Sequence, residues 1–107
     1  MNRYEKGWAG ERFVKNLLRV EGWTVIDLAP AFPCDLLGLM LFPTAPWRFP
    51  LYQAVWVEVK VKTPYRPRLT PPEARFLATR KALGDGTRFY WLRREGETYR
   101  YEELPIP

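Results

Sequence analysis

The chain contains no histidine and no serine, and it has a single cysteine, Cys34. Without those residues it cannot build a Ser-His-Asp or Cys-His nucleophilic site, or a zinc site that depends on histidine. A single cysteine also cannot form an internal disulfide. Any catalysis must therefore use carboxylates, lysine, arginine, tyrosine or a metal ion held by oxygen ligands.

The sequence also lacks a long apolar run. The longest one, around Leu36 to Phe42, is interrupted by Gly38 and is far too short to cross a bilayer. The first residues, Asn2 to Glu5, contain no apolar signal region. We therefore expect a cytoplasmic protein without membrane contact.

The composition is that of a folded domain with a basic surface. At 107 residues, 47% of them hydrophobic, the chain is long enough for one core and too short for two, so we predict a single domain over residues 1–107. Its 17 lysines and arginines against 12 acids give a net charge of +5. Such a charge favours a polyanionic partner, because phosphate contacts release condensed counterions, but it also serves plain solubility.

Periodicity predicts one helix followed by three strands in the first part of the chain. Residues 4–21 have helical spacing of apolar side chains, and Gly22 is a natural helix-ending residue. Strands are predicted at 23–28, 34–42 and 55–63. The apolar helix stripe comprises Ala9, Phe13, Val14, Leu17, Leu18 and Val20.

The second part of the chain predicts a helix and a hairpin. A proline-rich loop over 43–52 precedes the third strand. After that strand, Thr70 and Glu73 form a capping box that begins a second helix, which Gly84 and Gly86 end. Two final strands flank the turn "EGE". The order α-β-β-β-α-β-β indicates an α/β fold with a mixed β-sheet flanked by helices.

The third strand, "VWVEVKVKT", alternates strictly between valine and other residues. This pattern predicts a strand whose valine face is covered by a helix and which lies near the centre of the sheet. Glu58 and Lys60 lie two residues apart, so they project into the same space. The alternative for this pair is an ordinary ion pair on a solvated strand face.

A second carboxylate, Asp35, opens the preceding strand. If the two strands pair, Asp35 and Glu58 can bind one divalent cation, and hard oxygen ligands suit Mg²⁺. Lys60 could then orient or help deprotonate the attacking water and offset charge in a phosphoryl-transfer transition state. Asp35 alone could instead stabilise the turn before its strand.

The segments "FPCDLLGL" and "VWVEVKVKT" together resemble the D…(D/E)-x-K signature of the PD-(D/E)XK nuclease superfamily, although Cys34 stands where that signature has proline. The predicted order of elements matches the restriction-endonuclease-like core of that superfamily. The opening "GERFVKNLLRVEGW" is similar to that of archaeal-type Holliday-junction resolvases. The segment "LTPPEARFL" is similar to a helix start in the small virus-type replication and repair nuclease domain.

This resemblance implies a homodimeric, Mg²⁺-dependent DNA endonuclease, selective for branched DNA as a junction resolvase is, with Mn²⁺ as a substitute metal. It implies that Asp35, Glu58 and the carbonyl of Val59 hold the metal, and that Lys60 positions the nucleophile. Glu11 on the first helix would be a further ligand, directly or through water, unless it is an ordinary surface residue. Two alternatives remain, a repair or restriction-like nuclease on linear or flapped DNA and a catalytically inactive nucleic-acid-binding module of the same fold.

A second proline-broken loop, "TPYRPRL" (63–69), follows the third strand, and basic and aromatic residues in and after it are candidates for DNA contact. The basic side chains can contact backbone phosphates, and the tyrosine can stack on a base. The alternative for the basic residues is a solubilising surface. These candidates are Tyr65, Arg66, Arg68, Arg75, Arg80 and Lys81. Lys62, which follows Lys60 on the same face of the third strand, is a further candidate for contact with the scissile or a neighbouring phosphate, with an exposed strand-end lysine as the alternative.

Overall fold

The computed structural model describes residues 3–42, 51–62 and 64–107, with side chains from residue 8 onward except that of Leu51. Two helices and five strands follow in the predicted order. They are α1 (Arg3–Val20), β1 (Thr24–Asp27), β2 (Leu36–Phe42), β3 (Leu51–Val61), α2 (Pro71–Ala82), β4 (Gly86–Glu95) and β5 (Thr98–Leu104). Neither helix is long and apolar enough, in its described part, to cross a membrane.

The five strands form one mixed sheet in the spatial order β1-β2-β3-β4-β5. Strands β3 and β4 are parallel, and the other neighbouring pairs are antiparallel. The parallel pair needs a crossover connection, and α2 provides it. The predicted mixed sheet is confirmed, and β3 lies at its centre as predicted.

Strand β3 is buried on both of its faces. Val55, Val57 and Val59 belong to the same core cluster as Val14 and Leu18 of α1. On the opposite face, a second cluster contains Trp56 of β3 together with Leu77 of α2. The alternative of a solvated face is therefore wrong, because α2 covers the face that carries Trp56, Glu58 and Lys60.

Three boundaries differ from those expected. Leu51 and Tyr52 belong to β3 rather than to the proline-rich loop, whose residues 43–50 lie outside the described part. Strand β3 ends at Val61, whereas the predicted strand extended to residue 63. Gly86 opens β4 instead of ending α2, because Leu83 caps the helix and Gly84, at a φ of 92°, turns the chain.

Gly22 ends α1 as predicted, but Val20 does not lie on the buried face of the helix as the apolar stripe had predicted. Gly22 adopts a φ of 101°, its N–H donates to the carbonyl of Arg19 at 3.0 Å, and the N–H of Trp23 donates to that of Leu18 at 3.1 Å. This pair of bonds is a Schellman motif, which requires a left-handed residue. Val20 is 90% exposed, because it lies about 200° around the helix from Leu18.

Helix α1 packs closely against the sheet at Gly10. A Cβ at this position would overlap Cγ2 of Val61. We expect Gly10→Ala to lower the free energy of unfolding by about 1–3 kcal/mol, although alanine ordinarily favours a helix. Chemical denaturation measures this change, with the exposed Asn16→Ala on the same helix as the control. A Gly10→Ala protein as stable as the unsubstituted chain would contradict the close packing, and adding Val61→Ala should recover part of the loss.

Candidate active site

At one end of the sheet β3 extends beyond β2, and Asp35 occupies the space beside the extended part of β3. The first residue of β2, Leu36, pairs with Val57, so β3 continues from Glu58 onward without β2 beside it. The N–H of Asp35 donates to the carbonyl of Val57 at 3.1 Å, and its carbonyl accepts from the N–H of Leu28 at 3.0 Å. Its Oδ2 accepts a 2.8 Å bond from the N–H of Val59. The carboxylate of Asp35 thus supplies the acceptor that a further residue of β2 would have offered to the N–H of Val59.

The loop before Asp35 is fixed by aromatic packing and by the cysteine. Phe32 stacks on Trp56, with ring centroids 6.0 Å apart and planes at 12°, and meets Phe76 of α2 edge-on at 5.2 Å. The thiol of Cys34 donates to the carbonyl of Val57 at 3.0 Å. Burial raises the pKa of Cys34 to about 12, so the group stays a thiol. Cys34 therefore anchors this loop where the superfamily signature has proline.

Glu58 is a buried carboxyl in contact with Asp35. Only 4% of the surface of Glu58 is exposed. Burial, followed by a side-chain hydrogen bond with Asp35 and the charge of that carboxylate, raises the pKa of Glu58 to about 10, while Lys60 opposes the shift. Two carboxyls in contact cannot both carry charge at low cost unless a proton or a cation lies between them. The pair is therefore a place where a cation can replace a proton.

Glu11 approaches Asp35 from the other helix. It is half-buried on α1, and burial and the charge of Asp35 raise its pKa to about 7. The three carboxyls form a row in which Asp35 touches both of the others. Glu11 also borders a groove of about 270 Å³, whose other lining residues are Trp8, Arg12, Lys15, Arg19 and Asp27. Sequence reasoning had nominated none of these five.

The donor set of this site fits a hard divalent cation. The N–H of Val59 points to the side that β2 leaves open, and the C=O of a strand residue points the same way as its N–H. The carbonyl of Val59 can therefore join the carboxylates of Asp35 and Glu58, with waters completing an octahedron. Within the described ranges, no group of three or more Cys, Asp and Glu side chains is arranged to hold a metal.

Lys60 lies on the same face as Glu58, but its main partner is Glu73. Its Nζ is 4.0 Å from Oε1 of Glu58, whereas it is 2.9 and 3.0 Å from the two carboxylate oxygens of Glu73. The sequence had indicated only the capping role of Glu73, which the structure confirms through its bonds with Thr70. No periodic pattern could have predicted the contact with Lys60, because it depends on how α2 sits over β3.

The candidate DNA-contacting residues divide into two groups. Arg80 serves the fold, because its guanidinium lies 4.5 Å from the ring centroid of Trp56 and pairs with Asp85 at 3.4 Å. Tyr65 is 74% exposed. The other five candidates, Lys62, Arg66, Arg68, Arg75 and Lys81, are exposed as well. Arg66 and Arg68 line a groove of about 280 Å³ beside the start of α2.

The sheet order, the two helices and their order along the chain define an α/β fold with a mixed five-stranded sheet, which a solved nuclease shares, so the predicted fold class is confirmed. A solved structure with this fold is Hjc, a Holliday junction resolvase from the archaeal hyperthermophile Archaeoglobus fulgidus. The identity is 22% and the TM-score 0.60, over 94% of this chain and 73% of that one. No protein-family model and no curated protein matches the sequence. A likeness at this identity establishes the fold alone.

Replacing Glu58 by glutamine should separate stability from metal binding. Because the variant removes a buried ionisable group and keeps its shape, we expect a Tm in chelator no lower than that of the unsubstituted protein. We expect Mg²⁺ to raise the Tm of the unsubstituted protein, by the equivalent of about 2.7 kcal/mol at a hundredfold excess over Kd, and we expect this rise to disappear in the variant. Thermal unfolding with and without Mg²⁺ tests this, and the exposed Glu97→Gln is the matched control. An unchanged Mg²⁺ response in Glu58→Gln would exclude this residue as a ligand.

Proposed function

We propose that the protein is a Mg²⁺-dependent nuclease that hydrolyses DNA phosphodiester bonds, with Mn²⁺ able to replace Mg²⁺. The observation that carries the proposal is the contact between two carboxyls, Asp35 and Glu58, beside Lys60 at an opening in the sheet. Burying carboxyls against each other costs stability, and the bond that Asp35 accepts from Val59 does not explain why a second acid, Glu58, is buried beside it. A cation site does, and the PD-(D/E)XK-type fold supports the same conclusion.

In this proposal each residue has a separate task. Asp35, Glu58 and the carbonyl of Val59 would hold the metal, and Glu11 would assist through water or as an outer ligand. When bound, the cation would acidify a water molecule and offset charge on the phosphate. Lys60 would orient the attacking water and stabilise the developing charge on the phosphoryl oxygens. The rigid strand β3 keeps Glu58 and Lys60 in register.

We further propose that the substrate is branched DNA and that the active protein is a homodimer in the cytoplasm. The support for branched DNA is the fold shared with a protein described as a Holliday junction resolvase. A four-way junction needs two cuts, and each chain offers one such site, so two copies would act together. Light scattering should then give about twice the 12.7 kDa of one chain.

Cleavage of a DNA panel tests the proposed activity. We expect Mg²⁺- or Mn²⁺-dependent cutting of a four-way junction in preference to linear duplex and flapped DNA at one salt concentration. Lys60→Ala and Asp35→Asn should each lower the rate by about 10²–10⁴-fold, because a positioned proton-transfer or charge-stabilising group contributes that much. Arg100→Ala, at a distant exposed position on β5, is the control and should retain activity.

Other outcomes of the same panel point to the other two candidates. Preferred cutting of linear or flapped DNA would replace the resolvase proposal with a repair or restriction-like nuclease. DNA binding without cleavage or Mg²⁺ binding would favour a catalytically inactive binding module. The observation that favours this module is that the described residues contain no three-membered side-chain metal group. A Lys60→Ala variant that cuts at the unsubstituted rate would exclude the mechanism.

The exposed loop arginines should contribute to DNA affinity through phosphates. We expect Arg66→Ala and Arg68→Ala each to weaken binding for all sequences and to reduce the slope of log K against log salt by about one. Fluorescence anisotropy at several salt concentrations measures both effects, with Arg100→Ala as the control. Arg80→Ala should instead lower Tm, because it removes the contact with Trp56. Unchanged salt slopes for both loop variants would place the DNA elsewhere.

A further inference from the structure

The ammonium group of Lys60 lies between two acids, Glu58 of the carboxyl pair and Glu73 at the start of α2. Both oxygens of the Glu73 carboxylate contact Nζ, at 2.9 and 3.0 Å, while the nearest oxygen of Glu58 is at 4.0 Å. The lysine side chain is 26% exposed and that of Glu73 16% exposed. Because both side chains are mostly buried, solvent and salt screen their charges only weakly. The geometry therefore places Lys60 on the α2 side of the carboxyl pair.

Glu73 is itself held in place by the start of α2. Its Oε1 accepts a 2.7 Å bond from the N–H of Thr70, and its own N–H donates to Oγ1 of Thr70 at 3.4 Å. A carboxylate in the first turn of a helix is also favoured by the helix dipole. Leu77, one turn further on, is fully buried in the cluster that contains Trp56. Glu73 is therefore a fixed anchor for the flexible lysine.

We propose that Glu73 is a positioning residue that keeps the Lys60 ammonium off the Asp35–Glu58 carboxyl pair, so that the pair stays available to a divalent cation. The inference rests on the proposed metal-dependent function and adds a task that capping alone does not give to Glu73.

Removal of Glu73 would leave Glu58 as the nearest acid to Lys60. The lysine side chain has a flexible four-carbon stem, so its ammonium can move toward Glu58 and form a closer ion pair. An ammonium held there opposes a divalent cation in two ways, because it occupies carboxylate oxygens and adds positive charge to the site. The effect of losing Glu73 on metal affinity must therefore depend on the presence of Lys60.

A double-mutant cycle on metal affinity tests this dependence. Titration calorimetry with Mn²⁺ alone would compare the unsubstituted protein with Glu73→Ala, Lys60→Ala and the double variant. We expect Glu73→Ala to weaken Mn²⁺ binding by about tenfold, equivalent to about 1.4 kcal/mol. In the Lys60→Ala background the same change should weaken binding by less than about twofold. Equal weakening in both backgrounds would mean that only the charge of Glu73 matters, and would overturn the inference.

Two further variants separate positioning from folding. Thr70→Ala removes the side-chain half of the capping box but keeps the backbone N–H that binds the Glu73 carboxylate, so it should lower Tm without changing Mn²⁺ affinity. Weakening by Thr70→Ala as large as that by Glu73→Ala would assign the effect to the helix start and overturn the inference. If Glu73→Ala does not fold, Glu73→Gln keeps a capping side chain, and the same cycle with Lys60→Ala applies.

Failure of this inference is distinguishable from failure of the proposed function. An unsubstituted protein that binds no Mn²⁺ overturns both. An unsubstituted protein that binds Mn²⁺, and cleaves DNA with it, while Glu73→Ala binds Mn²⁺ equally well, overturns only the role given to Glu73.

Discussion

The hydrogen bond from the N–H of Val59 to the carboxylate of Asp35 is the contact on which the site depends. Strand β2 is two residues too short to pair with Val59, since it begins at Leu36 opposite Val57, and a buried N–H without a partner costs roughly 1–3 kcal/mol. A side-chain oxygen solves this problem and at the same time places an acid beside Glu58. Completing the ladder and forming the carboxyl pair are therefore one structural event.

The apolar core around β3 offsets the cost of burying the carboxyls. Three carboxyls in contact oppose folding, because burial and mutual repulsion raise the pKa of Glu11 and Glu58. The valine face under α1 and the aromatic cluster under α2 supply the opposing stabilisation. Both sets of contacts involve strand β3, which also carries Glu58.

Sequence reasoning recovered what local periodicity determines and missed what helix placement determines. Element order, the capping box and Gly22 follow from spacing within short segments, and the nearness of Asp35 to Glu58 followed from assuming that two strands pair. The burial of Glu58 did not follow, since alternation cannot tell a wet strand face from one that a distant helix covers. The contact of Arg80 with Trp56 was missed for the same reason, because it depends on how α2 lies over β3 and not on the sequence around Arg80.

The capping glutamate illustrates why such a contact escapes local reasoning and yet couples two parts of the molecule. A capping box satisfies backbone groups at a helix start, and Glu73 would be explained in full by that role. Its second oxygen is free of the cap, however, and the position of α2 over β3 directs it to Lys60. Any movement of the α2 start relative to β3 must therefore change the position of the Lys60 ammonium. Because Leu77 and Phe76 pack α2 against Trp56, the packing of the helix and the geometry of the carboxyl site are set by the same contacts.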